Sequence, residues 1–136
     1  MGLSNEIRSV VTWDSPSVDM QGTVLAAIDK IANSGVSALI VKNGDKVVGI
    51  VTDMDLMGFI AKGNDLDGFT VSNIMTSCEV ISDKTITTPC IQLEETQSVQ
   101  NAIKLMDVAG IHHLLVTGDK GTGIVSAQDL LRLVVG

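Results

Sequence analysis

Two short stretches hold the side chains best suited to meet a ligand: Thr52-x-x-Asp55 and Ser126-x-x-Asp129, each following Gly-Ile-Val. A hydroxyl with a carboxylate three residues on approximates a capping box, in which side chain and backbone satisfy the first amides of a helix in both directions. Each such cap contributes about 1 kcal/mol. The same groups suit a phosphorylated sugar. A helix N-terminus offers N–H groups and partial positive charge to a phosphate, and the Thr or Ser hydroxyl adds a donor. An aspartate nearby can accept both hydroxyls of a ribose. The structural and the ligand-binding readings are compatible.

His112 and His113 are the only histidines. Neighbours on a strand point to opposite faces, so the pair cannot chelate one ion and no metal site is expected. One imidazole could face a phosphate while the other packs or meets solvent. The corresponding stretch of the first copy is Val36–Ala38, so the second copy is the better candidate phosphate site. No arginine is expected nearby, which argues against tight triphosphate binding for want of bidentate contacts. Walker-type glycine loops are absent, and "GIVS" is not a nucleophile elbow. The chain is not expected to be an enzyme.

The elements that must position these residues are written twice. "TVLAAIDKIANSGVSALIV" at 23–41 aligns with "SVQNAIKLMDVAGIHHLLV" at 98–116, and "GIVTDMDL" at 49–56 with "GIVSAQDL" at 123–130. A repeat of this length sets the architecture. Thr23 and Ser98 can cap helices whose apolar positions recur at helical spacing, and Gly35 and Gly110 supply left-handed stops. Short branched-residue runs then read as strands, turning at "KNGDK" and "TGDKGT" into a returning strand and a second helix. Each half is predicted as strand, helix, strand, strand, helix, with leading strands near Ser17–Met20 and Ile91–Glu94. The halves divide as residues 1–68 and 69–136, and the predicted class is α/β, of the α+β type. Ala61–Phe69 reads as a polar loop, and an extra strand pair could turn at Asp83–Lys84.

Composition narrows the function. Hydrophobic residues make up 45% of the 136, enough for a real core, and no run reaches the roughly 20 apolar residues of a membrane span. The opening residues lack a secretory signal, so a soluble cytoplasmic protein is expected. Cys78 and Cys90 are expected to be ordinary thiols. A net charge of −7 and only Trp13, Phe59 and Phe69 as aromatics argue against nucleic acid as a partner.

The doubled pattern, joined by "NIMT", resembles a tandem of CBS (cystathionine-beta-synthase-type) domains, the Bateman module. The resemblance covers nearly the whole chain. It implies two pseudo-symmetric clefts between the halves and a regulatory role exerted through adenosine-containing ligands: AMP foremost, then ADP, ATP or S-adenosylmethionine. No other cofactor is implied. It assigns Thr52, Ser126, Asp55 and Asp129 to phosphate and ribose. The backbone at Ser37, Ala38 and Leu39, and at His112, His113 and Leu114, would meet the base edge, with Ile50 and Ile124 in apolar contact. Ile40 and Leu115 stand where the family commonly has proline, and Met54 and Gln128 where it often has a basic residue. A homodimer and a separate effector protein are the expected partners. The alternative is a ligand-free association module joined through Met and Leu on the second helix of each half.

Overall fold

Among the described residues the repeat folds into two sheets and four α-helices. The computed structural model describes residues 2–78 and 92–136. Its elements are β1 (Ser17–Asp19), α1 (Val24–Ser34), β2 (Ala38–Asn43), β3 (Lys46–Thr52), α2 (Asp53–Ala61) and β4 (Thr76–Ser77). They continue with β5 (Gln92–Glu94), α3 (Val99–Ala109), β6 (His113–Gly118), β7 (Gly121–Ser126) and α4 (Ala127–Val135). This is the expected mixed α/β class.

Local chemistry accounts for the boundaries. Ala26 N–H donates to Thr23 Oγ1 and Asn101 N–H to Ser98 Oγ, both at 3.1 Å, so α1 and α3 start where the hydroxyls stand. Both end at a glycine in the left-handed region, Gly35 with φ 72° and Gly110 with φ 68°. β2 pairs antiparallel with β3 and β6 with β7, while β1 and β5 add in parallel to β2 and β6.

Two compact units result: Ser15–Cys90, and Met1–Asp14 with Ile91–Gly136. In the first, Val24, Ala27, Leu39, Val41, Val51, Leu56 and Phe59 form the core between sheet and helices. The second repeats this with Val99, Ala102, Met106, Leu114, Val116, Val125 and Leu130. Ile40 and Leu115 lie on the opposite sheet faces from these clusters, as the pleat requires.

The N-terminal lead, Met1–Asp14, falls in the compact unit of the second motif. The lead belongs to a second, weaker repeat. Thr12 pairs with Ile124 on β7 and Glu6 bridges Ser98, just as Thr76 pairs with Ile50 on β3 and Thr70 bridges Thr23. Ile7 N–H donates to Gln97 O at 2.9 Å, and Val71 N–H to Gly22 O at 2.8 Å. Ile7 and Val71 both have no exposed surface. Burial of such a side chain stabilises by about 1.5–3 kcal/mol, so each lead is anchored by a fully buried apolar side chain and a short ladder, with Val11 also in the core of the second unit. β4, not expected from the sequence, is the strand of the second lead.

This docking explains the glycine of each Gly-Ile-Val. A Cβ on Gly49 would lie 2.6 Å from Thr76 O, and one on Gly123 would lie 2.7 Å from Thr12 O. The leads cross too closely for a side chain there.

Cys78 is buried and disulfide-bonded, where an ordinary thiol was expected. Cys90 and the possible strand pair around Asp83–Lys84 lie outside the described residues. Among the described residues no helix is long and apolar enough to cross a membrane.

Candidate ligand site at the capped helix starts

Hairpin register brings the expected site residues together within each unit. Ala38 is opposite Thr52 and His113 opposite Ser126, so each strand start lies beside the start of the following helix. The seam is closed by the first helical amide: Asp53 N–H donates to Ser37 O at 2.9 Å and Ala127 N–H to His112 O at 2.8 Å. Ile50 and Ile124 follow on the same returning strands, opposite Ile40 and Leu115.

Both capping boxes form. Thr52 N–H donates to Asp55 Oδ2 at 2.9 Å and Asp55 N–H returns to Thr52 Oγ1 at 3.2 Å. At α4, Ser126 N–H donates to Asp129 Oδ2 at 3.0 Å and Asp129 N–H to Ser126 Oγ at 3.1 Å. Each aspartate therefore spends one oxygen on its helix start and keeps Oδ1 for something else. Both carboxylates are half-buried.

The copies differ in the amide left over. At α2 the second helical amide, Met54 N–H, donates to Asp53 Oδ1 at 2.8 Å, so each of the first three amides has an acceptor. Alanine replaces this aspartate at α4. There, among the described residues, no acceptor lies on the Gln128 N–H. A free amide for an anion, expected at both starts, is found at one.

They differ again one turn on. Arg132 donates from Nη1 to Asp129 Oδ1 at 3.2 Å. This corrects the expectation that no arginine stands near. The equivalent residue in the first copy is Gly58, and a Cβ built there would meet nothing within 4 Å. Among the described residues nothing donates to Asp55 Oδ1. A hollow of about 500 Å³ opens beside Asp55 and Gly58, with Lys62, Phe69 and Asn73 on its walls. Phe69 is held there by an edge-to-face contact with Phe59, ring centroids 5.1 Å apart. Sequence reasoning passed over these residues. The i, i+7 spacing of Asp55 and Lys62 was the signal available, since it places both on one helix face.

The two histidines fall in different local structure. β6 begins at His113, leaving His112 exposed in the bend before it. His112 lines a mostly apolar hollow of about 290 Å³ between α3 and α4, together with Asp107 and Leu131. Ser126 and Asp129 are not among that hollow's lining residues.

A protein-family model described as CBS domain matches the chain twice, over residues 7–62 and 71–136. An uncharacterized protein of Methanocaldococcus jannaschii is 33% identical over 132 residues, covering 95% of this chain and 28% of the relative. Another, of Methanopyrus kandleri, is 34% identical over 100 residues, covering 71% of this chain and 45% of the relative. The chain thus spans less than half the length of these curated relatives. Among solved structures, an uncharacterized conserved protein of Pyrococcus horikoshii has a TM-score of 0.81 at 24% identity, covering 98% of this chain and 95% of that one. The CBS domain pair of protein MJ0100, solved in complex with 5′-methylthioadenosine and S-adenosyl-L-methionine, has a TM-score of 0.73 at 20% identity. It covers 96% of this chain and 99% of that one.

Proposed function

The chain belongs to the CBS-domain family, and from that premise we propose that it is a regulatory module sensing an adenosine-containing nucleotide, AMP before ADP, ATP or S-adenosylmethionine. The observation that carries this reading is the pair of capping boxes in which an aspartate keeps one oxygen free of the cap. Asp55 and Asp129 are the ribose acceptors in this reading. Ser126 and the Gln128 amide receive phosphate at α4. The strand starts at Ser37–Ala38 and His112–Leu114 meet the base edge, with Ile50 and Ile124 against its face. CBS-pair proteins are regulatory ligand-binding modules, and the adenosine compounds bound to MJ0100 support this class of ligand.

The module works by population shift, which demands that the ligand favour one of two conformations. It catalyses nothing, and its output passes to a second copy or to a separate effector. Thermal melts with millimolar AMP, ADP, ATP, NAD and S-adenosylmethionine test the reading, because a ligand of the folded state raises the midpoint. AMP is expected to raise it. Asp129→Ala should remove most of that rise at no more than a cap's cost to apo stability. The single tryptophan supplies a second readout, since its ring would stand 3.1 Å from a Cβ on Gly123, next to Ile124.

A ligand-free dimerisation module is the second reading. It is favoured by exposed Met54 (66%) and Met57 (61%) on α2 and Leu131 (61%) on α4. An unmoved melt in a protein that sediments as a tight dimer would establish it over the first.

A further inference from the structure

Resting on the nucleotide reading, we infer that the two copies take different ligand classes: the second a nucleoside phosphate, the first a nucleoside whose 5′ substituent is neutral or cationic. Two pairs of equivalent residues, Asp53/Ala127 and Gly58/Arg132, do the sorting.

At the first helical position, Asp53 places a carboxylate where a phosphate would approach α2, and it already holds the Met54 amide at 2.8 Å. A phosphate there meets like charge and no unengaged amide of the first turn. Ala127 brings neither obstacle at α4, where the Gln128 N–H stays open among the described residues.

Three residues past each motif's aspartate the contrast recurs. Arg132 covers Asp129 Oδ1, on the side from which ribose hydroxyls would come. A ligand that brings its own anion gives the guanidinium a new partner and frees the carboxylate. A ligand without one must break the ion pair uncompensated. Arginine suits this exchange because its planar fork matches phosphate bidentately. Gly58 leaves Asp55 uncovered and opens the hollow of about 500 Å³ beside it, so a phosphate-free ligand reaches the carboxylate directly. Lys62, the cation on that hollow's wall, follows the last turn of α2. It is seven residues from Asp55, about 10 Å along the axis, at the opposite end of the helix from Asp53 and the first-turn amides.

Isothermal titration of the full chain with AMP and with adenosine tests the assignment. Asp55→Ala leaves only the second copy's acid, and in that background AMP should bind at least about tenfold tighter than adenosine, the ratio one charge-assisted hydrogen bond confers. Asp129→Ala leaves only the first copy's, and there AMP should have no advantage. Adding Ala127→Asp and Arg132→Gly to the former should abolish the preference. Adding Asp53→Ala and Gly58→Arg to the latter should create one. Both exchanges occur at exposed or half-buried positions, and circular dichroism checks that each variant folds. Equal preference in both copies, or preferences unmoved by the exchanges, would overturn the sorting and leave the nucleotide reading standing. Failure of both ligands to bind the unaltered chain would remove the sorting together with AMP as the ligand.

Discussion

Gly123 shows how a single missing side chain can be structural and still look like part of a binding motif. Its Cβ would fall 2.6 Å from Val11 Cγ1 and 2.7 Å from Thr12 O, and the second of these is backbone that cannot swing aside. Gly123→Ala is therefore expected to lower the urea-denaturation free energy by about 1–3 kcal/mol, with an altered Trp13 emission as the local signature. Gly49→Ala should behave alike, without the fluorescence change. Alanine in place of Thr52 or Ser126 should cost about 1 kcal/mol each, because one amide of the box loses its acceptor. At this scale the sequence was informative where chemistry is local. A hydroxyl followed by an acid three places on could be read as a cap, and a glycine after a helix as its left-handed stop. The ion pair of Arg132 with Asp129 was also spaced to be seen, but charges on an exposed helix face more often meet only solvent. The closed Met54 amide depends on how Asp53 turns back upon its own helix, which residue type alone does not dictate.

Elements were legible to the extent that their signals are short-range. The helices, both hairpins and the leading strands lie close to where periodicity and turn residues placed them, with β2 and β6 beginning at Ala38 and His113. The docked leads were not legible. Glu6–Thr12 and Thr70–Thr76 have only the final threonine in common, and the apolar positions they share, Ile7, Val10 and Val11 against Val71, Ile74 and Met75, span too few residues to stand out as a repeat. Their partners lie far along the chain or across a loop, so no window contains the pattern. Helix α2 carries its own test. A glycine in a helix interior costs about 0.5–1 kcal/mol relative to alanine, and no neighbour requires its absence of a side chain at residue 58. Gly58→Ala should raise the melting midpoint accordingly while narrowing the hollow over Asp55. A melt that falls would mean a steric demand at that position which the geometry does not contain.

For the whole molecule the net charge of −7 sets how ligands arrive. An anionic nucleotide is repelled at long range, and added salt screens that repulsion. The association rate of AMP, followed by Trp13 emission in stopped flow, should rise between low and physiological ionic strength, whereas that of uncharged adenosine should stay constant. Association of copies is tested separately. Met57→Glu with Leu131→Glu places charge on the exposed apolar faces of α2 and α4 and should shift sedimentation toward the monomer if those faces join. The docked leads also bear on biosynthesis. Residues 5–12 are translated before any of the Ser15–Cys90 unit, yet Gln97, Ser98 and Ile124, which hold them, are translated after it. Until then Ile7 and Val11 have no native shelter. A nascent chain arrested ahead of β7 should thus yield a protease-resistant Ser15–Cys90 unit with residues 5–12 still cleavable, so that this lead, made before the unit, becomes protected after it.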